Sequence, residues 1–348
     1  MTNTKISLET GRDWLIKLVT DETFLYIVKR LLQALLTIFL ASALSFFIMK
    51  WSPGDYVDTL RQNPKISPER IEEIRRQFGL DKSWPEQFGF WLKQIITKGD
   101  FGTSFVYQRS VASLIWERVK DTLLLAIASL ITTWAIAIPL GILAAVKQNR
   151  ATDKILQVVS YAGQGFPSFI TALFLLFFAQ ITAPLFPVGN KTSIDHAELT
   201  WLGQILDIAW HMILPLIALS ITSFAGLQRI MRGQLLDVLR QDYIQTARAK
   251  GLPEDRVIYV HALRNAINPL ITLLGFELAG LLSGAFITEN FFNWPGLGKL
   301  TLQAVLAKDQ YLVMASLVMS AVLLILGNLI ADLLLKFADP RIKLEDLN

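Results

Sequence analysis

The stretch TLLLAIASLITTWAIAIPLGILAAV, residues 122–146, runs for 25 residues without a charged side chain, between Asp121 and Lys147. About 20 apolar residues are enough for a helix to cross a bilayer, and a run this long exceeds what a strand or a buried soluble helix needs. Five more segments share the pattern: Leu31–Met49 behind Lys29 and Arg30, Ile155 to about Leu185, Ile208–Gln228, about Ile267 to Thr288, and Leu312–Ala331 ahead of Asp332. The sequence therefore predicts an all-α, polytopic membrane protein with six spans. Composition agrees. Of 348 residues, 53% are hydrophobic and only 18% charged, and the mean hydropathy is +0.43. These figures exclude a disordered chain, a coiled coil and an ordinary soluble domain.

Ala41-Ser42-Ala43 fits a small-x-small cleavage site, but the charged lead-in is long and the apolar run continues to Met49. A retained span is expected rather than a cleaved signal peptide. The 33 Lys and Arg exceed the 29 Asp and Glu, a balance that in so apolar a chain points to basic loops flanking spans rather than to nucleic acid. Those residues are unevenly placed. Lys147, Arg150 and Lys154 lie between spans 2 and 3, and residues 229–264 carry seven Lys and Arg against four Asp and Glu. Lys336, Arg341 and Lys343 follow span 6, whereas the connection between spans 3 and 4 has Lys191 against Asp195, Glu198 and Asp207. The positive-inside rule then places both termini and the 229–264 segment in the cytoplasm, while the 50–121 loop is too long to vote. Trp51, Trp201, Trp210 and Trp294 fall at the expected outer ends, as an aromatic belt would. With no cysteine there is no disulfide, thiolate metal site or Cys nucleophile.

The 50–121 loop contains two amphipathic helical patterns, Pro68–Phe78 closed by Gly79 and about Pro85 to Ile96. A solvated cap and a docking surface for an external partner both fit them. Residues 229–264 are more telling. Asp242 is placed to N-cap a short helix, with Gln245 at the capping-box position. Arg248 and Lys250 suit the last turn and Gly251 the terminator. Pro253, Glu254 and Asp255 suit the start of a second helix, whose Val257, Val260, Leu263 and Ile267 form an apolar face leading into span 5. An eight-residue helix is unstable alone in water and must pack on something, either its own neighbours or a cytoplasmic partner that receives it as a knob.

Asp242-Tyr-Ile-Gln-Thr-Ala-Arg-Ala-Lys-Gly-Leu-Pro253 and His261-Ala-Leu-Arg-Asn-Ala-Ile-Asn-Pro269 resemble the coupling segment of the dipeptide/oligopeptide-type ABC transporter permeases. Further matches follow in order: Ser52-Pro-Gly-Asp55, Phe78-Gly-Leu-Asp81, Gly99-Asp-Phe-Gly-Thr-Ser104, Glu289-Asn-Phe-Phe-Asn-Trp-Pro-Gly-Leu-Gly298, Asp309-Gln-Tyr311 and Asp339-Pro-Arg341. They run from about residue 26 to 343, leaving residues 1–24 as an N-terminal extension before a permease domain of 25–343. Where the general loop motif has Glu, this chain has Gln245.

The resemblance implies a type I importer permease fold with a large extracytoplasmic loop between helices 1 and 2, in a bacterial inner membrane. It implies partners: a second permease subunit, giving a heterodimer, two cytoplasmic ATP-binding subunits and an extracytoplasmic solute-binding protein. It also makes Asp242, Tyr243, Thr246, Ala247, Arg248, Lys250, Gly251, Leu252, His261 and Arg264 candidates for ATPase coupling, and adds Glu289 to the translocation-path candidates. Substrates of such families include dipeptides, oligopeptides, modified peptides and nickel chelates, and the sequence does not choose among them.

No enzymatic or cofactor chemistry is expected of this chain. The Gly298-Lys299 pair lacks the rest of a P-loop, so ATP hydrolysis must come from another subunit. His196, His211 and His261 are scattered without ligand spacing, and no metal site is expected. Glu277 is a carboxylate near mid-span, either lining a path that meets a substrate ammonium or hydrogen-bonded inside the bundle. Gly163-Gln164-Gly165-Phe166-Pro167 interrupts span 3, as a path-lining break or a simple kink, with Gln164 and Pro167 as path candidates. The alternatives, an ion-coupled secondary transporter or channel and a polytopic membrane enzyme, find little support: Glu277 is the one clear intramembrane charge, and no acid–base set converges.

Overall fold

The computed structural model describes residues 22–61, 66–183 and 185–338. Nearly all of residues 1–24, and the Asp339-Pro-Arg341 motif with Arg341 and Lys343, lie outside the described residues. The helices are α1 (Glu22–Trp51), α2 (Tyr56–Arg61), α3 (Pro68–Gln77), α4 (Trp84–Lys98), α5 (Val111–Val146), α6 (Ala151–Gly165) and α7 (Ser168–Ile181). They continue as α8 (Trp201–Leu239), α9 (Asp242–Ala249), α10 (Asn268–Phe291), α11 (Leu297–Leu306) and α12 (Gln310–Ala338). Among the described residues there is no strand, only one isolated bridge between Thr103 and Ser110.

Four helices, in α1, α5, α8 and α12, are long and apolar enough to cross a membrane, and α6 with α7 forms a fifth candidate broken in the middle. The long helices overrun the apolar windows. α5 begins at Val111, inside the expected 50–121 loop, and α8 continues to Leu239, inside the expected 229–264 segment. Helices project beyond the hydrocarbon core whenever the backbone has no breaker, and charge alone does not end them. Span 3 is not continuous. α6 and α7 meet at Phe166-Pro167 with a bend of 102°. Proline lacks the N–H and disfavours α conformation in the residue before it, and Phe166 is extended.

The core follows the helix crossings. Gly141 of α5 lets α8 approach so closely that a Cβ there would lie 2.8 Å from the Gln228 carbonyl. Ser129 and Ser220 share a buried hydrogen bond of 2.7 Å across the same pair. α1 and α12 are tied at one end by Asp332, which accepts from Tyr26 Oη at 2.6 Å and Arg30 Nη2 at 3.0 Å.

Both amphipathic patterns of the 50–121 region are helices, α3 N-capped by Ser67 and α4 opened by a Ser83–Glu86 capping box. The backbone N–H groups of Asp55 and Asp58 each donate to the other's carboxylate, a reciprocal pair of bonds that starts α2. One aromatic expectation is corrected. Trp51 and Trp201 are largely exposed, but Trp294 is fully buried, with Nε1 donating to the Asp121 carbonyl at 3.0 Å. It is a core residue, not a belt residue.

Candidate functional site

The eight residues of α9 form a helix that packs on its own neighbours by one edge. Ile244 and Ala247 are buried in a cluster with Leu235 and Leu236 of α8 and with Val257 and Ile258 beyond the turn. Asp242, Tyr243, Gln245, Thr246 and Lys250 are exposed. A polar face is thus held rigidly outward at the end of the longest helix.

The cap differs from the one expected. Gln241 is the N-cap but its side chain makes no capping bond, donating instead to the Asp237 carbonyl; Asp242 is already helical, and Gln245 donates to the Leu239 carbonyl instead of closing a capping box. The connection from α8 is only two residues, too tight to present Asp242 at the cap. At the other end Gly251 has φ of +75°, and its N–H and that of Leu252 bond back to Arg248 and Ala247. This is the left-handed terminator the glycine predicts. Arg248 then grips Glu254 through two nitrogens, and that hydrogen-bonded pairing holds the Glu254 carboxyl below the usual range.

The second helix begins at Glu254, with Pro253 as its extended N-cap, and then changes pitch. Residues Glu254–Arg256 are α, Val257–Ala262 form a π turn, and Leu263–Ala266 return to α. The buried positions are accordingly Val257 and Ile258, then Ala262, Ala266 and Leu270, with five residues from Val257 to Ala262 and four at each later step, while Val260 is 53% exposed. The face predicted through Val260 assumed an unbroken α period, and the i→i+5 turn shifts it. His261 is half-buried and Arg264 exposed, and Asn265 bonds the Tyr243 hydroxyl of α9 at 2.8 Å.

Two of the four path candidates meet on one turn of α8. Gln164, just before the break, brings Nε2 to 3.2 Å from where a Gly226 Cβ would sit. Glu277 of α10 hydrogen-bonds Ser223, three residues away on the same face of α8, and keeps Oε2 buried without a partner. The bend itself opens an apolar hollow of about 680 Å³, lined by Thr133, Gly163, Phe166, Ser220 and Phe224 among others. Pro167 is exposed at the start of α7.

Residues 137–344 match the family described as the binding-protein-dependent transport system inner membrane component, and residues 23–126 match the N-terminal part of such components. The chain belongs to this family. It is 40% identical to the oligopeptide transport system permease protein AppB of Bacillus subtilis (strain 168), over 91% of this chain and 99% of that one. It is 35% identical to the glutathione transport system permease protein GsiC of Shigella flexneri and 34% identical to that of Escherichia coli (strain K12), each over 91% of this chain and 98% of the relative. The protein is therefore a membrane permease subunit and not an enzyme, in a family whose ATPase resides in separate subunits.

In this permease the remaining path candidate, Glu289, sits apart. It is fully buried where α5, α10 and α11 meet. Thr122 donates to its Oε1 at 2.6 Å and the Lys299 N–H to Oε2 at 3.1 Å, while Thr122 accepts the Leu297 N–H at 2.8 Å. The carboxylate thus lies at the N-terminus of α11, where the helix dipole favours an anion. A Cβ on Gly296 would fall inside that carboxylate although its backbone is extended and open to any residue. Gly296→Ala should therefore eject Glu289 from its clasp, and a lowered thermal midpoint in detergent relative to Gly233→Ala, which meets nothing within 4 Å, checks it.

A second clasp joins the motifs of the 50–121 region to the start of α12. Asp309 is buried and accepts from Ser104 Oγ at 2.6 Å, from Val106 N at 3.1 Å and from Leu312 N at 3.3 Å. Burial pushes its carboxyl above the usual range against those donors. Beside it, Lys308 at φ of +55° caps the end of α11 and donates to the Pro53 carbonyl. The motifs 52–55, 99–104 and 309–311 are one assembly in space. Neither Thr122 of the first clasp nor Lys308 of the second is visible in the sequence as such, because neither residue type nor spacing marks a partner 167 or 255 positions away. His196 and His211 are not scattered either, since both reach Asp207, at 2.7 and 3.3 Å.

Proposed function

We propose that this chain is one of two permease subunits of an ATP-driven importer that takes up di- or oligopeptides or similar small solutes delivered by an external binding protein. What supports the peptide class is that the relatives are named for the transport of oligopeptides and of glutathione, both peptides. α10, 24 residues and about 36 Å long, supplies a sixth span beside α1, α5, α8, α12 and the bent pair. The basic residues of 147–154 and 229–264 support an orientation with those segments and both termini on the cytoplasmic side.

The observation that carries the mechanism is the exposed polar edge of α9, clamped by Ile244 and Ala247 to the end of α8. Two ATPase subunits grip this edge and its counterpart on the second permease. Closure of the ATPases on ATP moves α9, and the bundle shifts from an inward-open to an outward-open state in proportion to the differing affinity of ATP for the two. Asp242, Tyr243, Thr246, Arg248 and Lys250 form the contact, Ala247, Gly251 and Leu252 shape it, and His261 and Arg264 flank it. Gln164 and Glu277 line the path at the 223–226 turn, Glu277 offering its free oxygen to a substrate ammonium. Pro167 sets the break, and Glu289 holds the far end of the path in shape.

Gentle purification of the intact complex, followed by mass spectrometry, should show ATPase subunits, a second permease and a bound peptide. Isolation of the chain as a homo-oligomer with no ATPase would reject the reading. Glu277→Gln should slow uptake of free-amine peptides several-fold more than that of N-acetylated ones, and equal slowing of both would remove the ammonium contact.

A further inference from the structure

α6 and α8 are fastened along their whole overlap. At the start of α6, the fully buried Asp153 receives a two-pronged contact from Arg232, Nε to Oδ1 at 2.7 Å and Nη2 to Oδ2 at 2.8 Å. The same carboxylate accepts the Asn149 N–H and the Gln157 side chain, each at 2.8 Å, so it also pins the turn from α5. Further along, Ser160 bonds Gln228 at 2.7 Å inside the protein. Next comes Gly163, where a Cβ would stand 3.4 Å from the Cβ of Ala225. The positions rise on α6 as they fall on α8, the mark of an antiparallel pair in continuous contact.

This seam has two ends of consequence. Arg232 lies two turns before α8 ends at Leu239, and α9 follows at once. Gly163 lies at the break where α6 turns into α7. A buried two-pronged ion pair is costly to desolvate and contributes little net stability, but breaking it leaves an uncompensated charge. It is therefore suited to fixing one geometry rather than to adding strength.

We propose that Asp153 and Arg232 are positioning residues that bind α6 to α8 as one rigid lever, so that displacement of α9 is delivered undiminished to the break at 163–167. The inference rests on the coupling role given to α9 above. Without the clamp, α6 pivots on the 147–150 turn and the break no longer follows α9. ATP is then hydrolysed without moving the path.

The absence of native cysteine permits a direct test, since Gly163→Cys with Ala225→Cys places two Cβ atoms near disulfide distance. In the full complex reconstituted in liposomes, ATP-driven uptake of a labelled peptide by the wild type tests the importer reading on its own. For the lever, the oxidised pair should transport as fast as the reduced pair, because the locked helices never part. Loss of uptake on oxidation, restored by reductant, would overturn the proposal. Should the double variant be inactive in both forms, the rate at which its disulfide forms is measured with and without ATP. Equal rates support a rigid seam, and a rate that changes with ATP refutes it. Asp153→Asn should lower uptake per ATP by roughly tenfold, within the usual range of coupling between sites, and the disulfide should restore most of it. A variant that loses uptake and hydrolysis in equal measure, or is not rescued by the disulfide, assigns Asp153 to plain stability and sinks the lever.

Discussion

Gly251→Val is expected to abolish peptide uptake while the ATPase subunits continue to hydrolyse ATP. Gly251 stands at φ of +75° as the residue that ends α9, and nothing lies within 4 Å of where a Cβ would be. The effect is therefore conformational and not one of crowding. Left-handed backbone costs an L-residue about 1–2 kcal/mol, and a β-branched side chain suffers most. Relief comes by unwinding the bonds from Gly251 to Arg248 and from Leu252 to Ala247, which lets α9 rotate off Ile244 and Ala247. A loss of even 1.4 kcal/mol in the docked geometry is about tenfold in its population. Asparagine, which tolerates this backbone, should retain more coupling than alanine, and alanine more than valine. The ratio of peptide transported to ATP hydrolysed checks the series, and a valine variant with the wild-type ratio would refute the role of the turn.

Asp309→Ala should be the most damaging substitution on the other side of the molecule. It strands the Ser104 hydroxyl and the Leu312 N–H in a buried site and removes the acceptor of the half-buried Val106 N–H bond. Each orphaned buried group costs about 1–3 kcal/mol, so the two together remove a large fraction of the stability of a typical domain, about 5–15 kcal/mol. The chain should fail to accumulate in membranes or should unfold at a markedly lower temperature in detergent. Asp309→Asn keeps one acceptor oxygen and should fall between. Wild-type stability of the alanine variant would mean that the motifs 99–104 and 309–311 are not held by this carboxylate.

Much of the fold was legible because a bilayer imposes a length on every apolar run. The interruption at Gly163–Pro167, the eight residues of α9 and the Gly251 turn were likewise written in residue type alone. What escaped has a common cause. Arg229 and Arg232 look like loop residues when charges are counted, yet they extend α8, because a helix ends where its backbone is broken and not where its side chains become polar. Asp153 looks like one more charge in a short connection, and only the return of α8 across α6 reveals its partner 79 positions on. The resemblance makes Glu289 a path candidate, but nothing in the sequence shows that its two oxygens are taken by Thr122 and the start of α11. The Val260 face failed for a subtler reason: periodicity was extended through a segment whose pitch changes.

That pitch change sets a clock. From Glu254, which Arg248 of α9 grips, the chain runs helically into α10 through the π turn at Val257–Ala262, so the angular setting of every side chain on α10 relative to Glu254 depends on one surplus residue there. Removing a single residue from the turn would restore the α repeat and wind α10 round by about 100°. Glu277 would then face away from Ser223, although no atom near either had been altered. One residue at the edge of the proposed ATPase contact thus fixes which face of α10 looks inward, a torsional register that insertions and deletions can reset but substitutions cannot.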